Sequence, residues 1–265
     1  LEKALNDVDA NVRVVACIRL SILGHHQYNL FKAITGKEPE TPEEYAMFLS
    51  DTQWGVHALA AGKLKEFGKE SIPVLLKLAK EDKEPGRQRA LSLLGEMKAE
   101  ESIPIFTNYL KEETTNETMY SVQLTCVRGL YNIGTEEAIK QLKEYGLNHK
   151  NPDIRYYTAK TLIKTNKEEV MPVLKDLVEQ WDSSKKYNIA LLLIENKEKE
   201  GIEIMIELLK DKKYLREAER WLEDTTGQKF GEIPPVVSKK ILEEYTKKWE
   251  SWWEKNKDTF QFPQQ

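Results

Sequence analysis

SIPVLLKLAKEDKEPGRQRALSLLGEM, residues 71–97, reads as two helices separated by a break. Pro73 suits a first helical turn, where its missing N–H costs nothing. Ile72, Leu75, Leu76 and Ala79 then fall at i, i+3, i+4 and i+7, which places them on one apolar stripe. The polar run from Glu81 to Gly86 ends that stripe. A second helix follows, with Ala90, Leu93, Leu94 and Met97 on its inner side.

The unit returns along the chain. Ser102-Ile103-Pro104 and Val170-Met171-Pro172 open copies of it, and weaker copies start near Ala138-Ile139 and Gly201-Ile202. From Ile72, Ile103, Ile139, Met171 and Ile202 the steps are 31, 36, 32 and 31 residues. In the copy from Val170, Met171, Val173, Leu174, Leu177 and Val178 form the first stripe. Asp182-Ser183-Ser184 breaks it, and Ile189, Ala190, Leu193 and Ile194 form the second. A fixed period of roughly 20–50 residues marks a repeat architecture, in which each unit buries its apolar face on its neighbours. No segment keeps up a two-residue alternation, so no strand is expected. The prediction is an all-α protein with one α-solenoid domain over residues 1–265, built from about six to seven helical hairpins. It would have irregular N-terminal repeats (1–70), regular repeats (71–231) and a cap helix with its tail (232–265).

The two ends depart from the period. Leu1 to Leu5 resembles the end of a first helix, and Asn11 to Leu23 its partner. Thr41-Pro42-Glu43-Glu44 has the residues of a capping box, with Thr41 as N-cap and Glu44 at the third helical position. Asp51 is expected to cap a helix that runs through Phe67 and ends at Gly68. An inserted segment lies around Gly36 to Glu40. Near the other end, Thr225 to Gly231 is a turn-rich break. Pro234-Pro235 is expected to open a last helix through about Lys255, carrying Trp249, Trp252 and Trp253. A terminal repeat must cover its own last apolar layer, which suits three tryptophans. Trp252 and Trp253 are adjacent, so one of them should be partly exposed.

Composition narrows the function classes. The chain has 265 residues, 40% hydrophobic and 32% charged, with a net charge of −4. No global basic field recruits nucleic acid. The longest apolar run, Ile189 to Ile194, is far below the ~20 residues of a membrane span. Cys17 and Cys126 both sit in helical apolar patterns and are read as buried thiols, not a disulfide. The chain opens on Leu1, not Met, and leaves the compartment open between cytoplasm and export.

The Ile-Pro start, the break and a second helix opening on Val-Arg-x-x-Ala resemble HEAT repeats of the phycobilisome-lyase type. The second-helix signature stands here as Val12-Arg13-Val14-Val15-Ala16 and Ile154-Arg155-Tyr156-Tyr157-Thr158, with looser forms at Arg87 and Lys186. The ending Thr226 to Gly231 followed by Trp249 to Asn256 is similar to a terminal motif of bacterial HEAT-repeat proteins. The resemblance covers about four-fifths of the chain. It implies a right-handed superhelix, with first helices on the convex side and second helices lining a concave groove. It also implies scaffold roles for Arg13, Arg87 and Arg155, since the family arginine pairs with Asp. Met119 and Leu215 stand where that arginine would be, so those repeats lack the pairing.

Aligning the second helices on that position gives the groove side of a 3.6-residue wheel. Tyr120, Tyr156 and Tyr187 recur at one register position, flanked by Arg89, Arg128, Lys160, Arg216 and Arg220. Tyr and Arg are enriched at binding hot spots. The leading expectation is therefore a tyrosine ladder that binds a protein or peptide segment without catalysis. The alternative is that these tyrosines pack between adjacent helices with only the hydroxyl exposed. Taken as 10–24, 86–98, 117–133, 152–165, 184–195 and 212–223, the second helices carry +8 against −4 for the whole chain, leaving −12 elsewhere. A mildly basic groove suits an acidic partner, and a solvated face with internal ion pairs accounts for the charge equally well.

Nothing in the chain has the pattern of a catalytic or metal site. There is no Gly-rich phosphate loop, no nucleophile elbow, and no His pair at i, i+4. His25-His26 are adjacent and diverge on a helix, while His57 and His149 are isolated. No cofactor or metal is expected, and the chain is read as a non-enzyme and a monomer. The alternatives are a nucleic-acid-binding protein resembling HEAT-like DNA glycosylases, with Glu195 or Glu217 as carboxylate and Trp221 nearby, and a purely structural assembly component. A phycobilin-lyase-like chaperone role rests on repeat type alone.

Overall fold

In the computed structural model every regular element among the described residues (1–23, 30–52, 54–81, 84–113 and 116–263) is helical, and none is a strand. The chain divides into two compact units, residues 1–150 and 151–265. The boundary falls inside the stretch read as regular repeats. His25 and His26 lie outside the described residues.

The first unit holds α1 (Ala10–Ile22), α2 (Leu30–Thr35), α3 (Pro42–Ala46), α4 (Trp54–Phe67), α5 (Ile72–Lys80), α6 (Gly86–Glu96), α7 (Ile103–Lys111), α8 (Glu117–Ile133) and α9 (Glu136–Gln141). Pairs form along the sequence: α1 with α2, α3 with α4, α5 with α6, and α7 with α8. The second helices α6 and α8 also pack on each other. The stripe Ile72, Leu75 and Ala79 is buried, and Leu76, at its edge, is half-buried. Ala90, Leu93 and Leu94 are buried as expected. Leu91 is buried as well, because α6 is covered on two sides, by α5 and by α8. Gly95 and Gly129 allow that second contact. A Cβ on Gly95 would lie 2.7 Å from the Gly129 Cα, and one on Gly129 would lie 2.7 Å from the Phe106 ring.

The capping chemistry follows the sequence closely here. The Thr41 hydroxyl accepts the Glu44 N–H at 3.3 Å, and the Glu44 carboxylate accepts the Glu40 N–H at 2.7 Å. Arg13 donates to the Ala33 and Asp7 carbonyls, each at 2.7 Å, fastening α1 to its flanking segments. Arg87 is buried beside Glu84 at 2.7 Å and stacks 5.6 Å from the centre of the Tyr109 ring. Cys17 and Cys126 are buried thiols outside any disulfide, and burial pushes both up in pKa. The weak repeat at Ala138 takes an unforeseen form. After α9, capped by Thr135, the chain runs on as a π-helical stretch, Leu142–Leu147.

The second unit holds α10 (Pro152–Leu162), α11 (Lys167–Gln180), α12 (Ser183–Glu195), α13 (Glu200–Leu208), α14 (Leu215–Thr226) and α15 (Lys239–Asn256). Each packs on the next from α10 to α14, and α15 packs on α13. Asn151 caps α10 through the Asp153 N–H at 2.9 Å, and Asp182 caps α12 through the Lys185 N–H at 3.0 Å. Arg155 pairs with Asp176 at 3.3 Å, joining α10 to α11.

Two expected starts are corrected. α11 begins at Lys167, so Pro172 lies inside the helix and does not open it. Glu168 and Glu169 favour the positive end of the helix dipole and draw the start upstream. α15 begins after Ser238, whose hydroxyl accepts the Ile241 N–H at 3.3 Å. Pro235 disfavours helical geometry at Pro234, so the pair stays outside the helix and the chain bends at Pro235 and Val236. Trp249 and Trp253, one turn apart, are buried, and Trp252 is half-buried. Phe230 packs edge-on to Trp249 at 5.0 Å, and Phe260 packs edge-on to Trp253 at 5.4 Å.

Candidate functional site

In residues 151–265 the second helices α10, α12 and α14 bring a set of rings together. Asn151 and Pro152 fix the start of α10, and that start sets Tyr156 one turn in, half-buried beside the fully buried Ile154. Its ring meets Trp181 edge-on at 5.4 Å. Its hydroxyl donates to the Asn188 carbonyl on α12 at 3.4 Å. Burial pushes the Tyr156 pKa up, and the Glu195 carboxylate adds to that, so the hydroxyl stays a donor. Next to Asn188, the Tyr187 ring lies 5.5 Å from that of Tyr214, and its hydroxyl accepts the Trp221 indole N–H at 2.9 Å. Tyr156, Trp181, Tyr187, Tyr214 and Trp221 are all half-buried. They form a row that runs from α10 across α12 to α14.

Lysines from the same unit edge the row. The Lys185 ammonium stands 4.7 Å over the Trp181 ring and pairs with Asp153 at 2.7 Å. The Lys213 ammonium stands 5.1 Å over the Tyr214 ring. Lys160 and Arg220 are exposed and enter no ion pair among the described residues.

Tyr156 and Tyr187 are thus brought into one row, with Lys160 and Arg220 on its outer helices. Arg216 instead donates to the Pro234 carbonyl at 3.2 Å and holds the segment ahead of α15. Arg89 donates to the carbonyls of Leu49 at 2.6 Å and Asp51 at 2.7 Å, so its guanidinium is engaged inside the first unit. Tyr120, half-buried, and Arg128, exposed, lie on α8 of that unit. Trp181 and Tyr214 escaped the sequence reading: Trp181 sits in the break before α12, and Tyr214, one residue ahead of the aligned position Leu215, is not among the groove-side positions of the wheel. A signal was there: the two aromatics are 33 residues apart, one repeat step.

The basic-groove expectation weakens on the observed helix bounds. Lys98, Lys164, Lys212 and Lys213 fall outside the second helices, and Asp224 falls inside α14. Losing four lysines and gaining one aspartate takes their sum from +8 to +3. The His57 ring stands 3.2 Å from the Asp51 carbonyl, and His149 is buried. Among the described residues no group of three or more His, Cys, Asp or Glu could hold a metal ion. No described helix is long and apolar enough to cross a membrane. Glu195 and Glu217 are exposed.

No family model matches the chain, and no curated protein matches it. Among solved structures it is similar to two crystal structures of engineered proteins from a structural genomics consortium. The first is 20% identical with a TM-score of 0.35, over 82% of this chain and 65% of that one. This chain thus spans about two-thirds of that protein's length. The second is 21% identical with a TM-score of 0.29, over 84% of this chain and 93% of that one.

Proposed function

We propose that the chain is a HEAT-like α-solenoid protein that binds a protein or peptide segment without catalysis, at its second helices α10, α12 and α14. The recurring 31–36-residue step and the sequential pairing of helices within each unit support the repeat reading. The row Trp181, Tyr156, Tyr187, Tyr214 and Trp221 carries the binding reading. Five large rings kept half open to solvent, three on successive second helices and two in the breaks ahead of them, supply contact area and polar tips together. Lys160 and Arg220 at its flanks favour an acidic partner.

The test is selection of binders from a random peptide display library on the full chain, repeated with the double variant Tyr156→Ala, Tyr187→Ala. The expected result is a set of peptides whose affinity drops about tenfold or more on the variant. A selection that yields no binder, or binders indifferent to the variant, overturns the proposal.

A further inference from the structure

We infer that two copies of the chain pair through α1, antiparallel and about a two-fold axis, in place of the monomer expected from the sequence. This pairing goes beyond the binding function put forward above and involves none of its rings. Of the ten large apolar side chains exposed among the described residues, seven lie between Leu1 and Leu23. Single exposed apolar residues are ordinary, but a contiguous patch marks an interaction site. Val12, Val15, Ile18 and Ile22 stand on the outer side of α1, opposite the buried Val14, Cys17 and Leu20, and Val8 lies just ahead of the helix. Val8 is 99% exposed and Ile22 79%.

The face is shaped to receive a helix. On the register that aligns Arg13 with Met119, Val15, Arg19 and Leu23 match Ser121, Thr125 and Gly129 of α8. There α8 meets the second helix before it. The Gln88 amide donates to the Ser121 hydroxyl at 2.8 Å and to the Thr125 hydroxyl at 3.2 Å, and Gly95 crosses at Gly129. α1 therefore leaves open the side that α8 uses to take up a neighbouring helix.

Spacing selects the same helix of a second copy. Val8, Val12, Val15, Ile18 and Ile22 follow one another in steps of 4, 3, 3 and 4 residues, which read alike in both directions. A two-fold interface has to be complementary to itself. With Val15 on the axis and the helices antiparallel, Val12 faces Ile18 and Val8 faces Ile22, so each apolar residue meets another. Charge has the same symmetry. At the start of α1 the Asp7 and Asp9 carboxylates accept the Asp9 and Asn11 N–H groups at 2.9 and 2.8 Å, and Arg19 is exposed near its end. None of the three charges enters an ion pair among the described residues. Antiparallel pairing sets Arg19 opposite Asn11, about 3 Å along the axis from Asp9 of the other copy. Parallel pairing would set Arg19 beside Arg19, which is unfavourable. Head-to-tail stacking of copies finds no open end. On the same register Arg216 and Glu223 mark the far side of α14, and they are engaged by the Pro234 carbonyl at 3.2 Å and by Lys229 at 3.9 Å.

Analytical ultracentrifugation of the full chain across the micromolar range should show a concentration-dependent dimer. Val15→Glu sets two carboxylates on the axis and should raise the dimer Kd about a hundredfold or more. Its helical circular dichroism should be unchanged, because Val15 is exposed in the single copy. Cysteine trapping reads the register. Oxidised Val15→Cys should link to itself, since across a two-fold axis its Cα atoms come within disulfide range. Ile22→Cys should not link to itself, but should link to Val8→Cys when the two variants are mixed. The parent chain, whose two thiols are buried, is the control. A chain that stays monomeric over that range, or a dimer indifferent to Val15→Glu, overturns the pairing and leaves the open face to a helix of another protein. Ile22→Cys that links to itself overturns the antiparallel register.

Discussion

Gly129 is a position where one methyl group has a definite cost. A Cβ there would meet the fully buried Phe106 ring at 2.7–2.8 Å, and α6 crosses α8 through Gly95 at the same level. Alanine gains up to about 1 kcal/mol of helix propensity, but overpacking a core costs about 1–3 kcal/mol. Gly129→Ala should therefore lower stability by up to about 2 kcal/mol in urea denaturation. Tyr245 gives a pH signature. Burial pushes its pKa well above the usual tyrosine value of about 10, and its hydrogen bond to Glu219 adds to that. The folded chain thus holds this proton more tightly than the unfolded chain does. As pH rises past about 10 the unfolded chain ionises first, and stability falls. Tyr245→Phe should make that fall shallower while costing about 1–2 kcal/mol near neutrality. Denaturation followed by tryptophan fluorescence at both pH values checks both halves.

Among the elements, the three Ile-Pro or Met-Pro starts have separate fates. Pro73 and Pro104 sit in the first turns of α5 and α7, where no intrahelical N–H bond is lost. Pro172 sits inside α11, where it lacks the N–H that would reach the Glu168 carbonyl. Pro172→Ala should stabilise the chain by about 1–3 kcal/mol, whereas Pro73→Ala should change it by less than about 1 kcal/mol. Thermal unfolding of the two variants side by side checks the contrast. The same proline shows why element starts were only partly legible. The apolar stripe of α11 is plain in the sequence, but its first turn, Lys167 to Glu169, is polar and has no stripe to read. The Thr41 cap was legible because its hydrogen bond is local, whereas Asp182, read only as part of a break, turned out to cap α12.

For the whole molecule, the all-helical class could be read from period and stripe alone. Two of the five rings in the row could be read too, since Tyr156 and Tyr187 share a register. Trp181 and Tyr214 show in the sequence only as aromatics one repeat step apart, because their place depends on how a short segment folds back on its neighbour. Arg89 and Arg216 show the converse. A register assigns each a side of its helix, but long side chains reach carbonyls on distant segments, 38–40 residues away for Arg89. Charge suffered likewise, since a few residues of drift in helix bounds moved four lysines off the second helices.

The π-helical stretch Leu142–Leu147 has a consequence of another kind. Bonding from i to i+5 accommodates one residue more than an α-helical turn needs. The chain therefore has a surplus residue at this place. Deleting the exposed Glu144 should let the segment close as an ordinary α turn, with a Tm within a few degrees of the parent. Deleting the exposed Asn108 from α7 should instead swing every later side chain of that helix by about 100° and lower Tm far more. Insertions and deletions are thus not equally damaging along this chain: at one point its length can change by one residue while the buried faces on either side stay aligned.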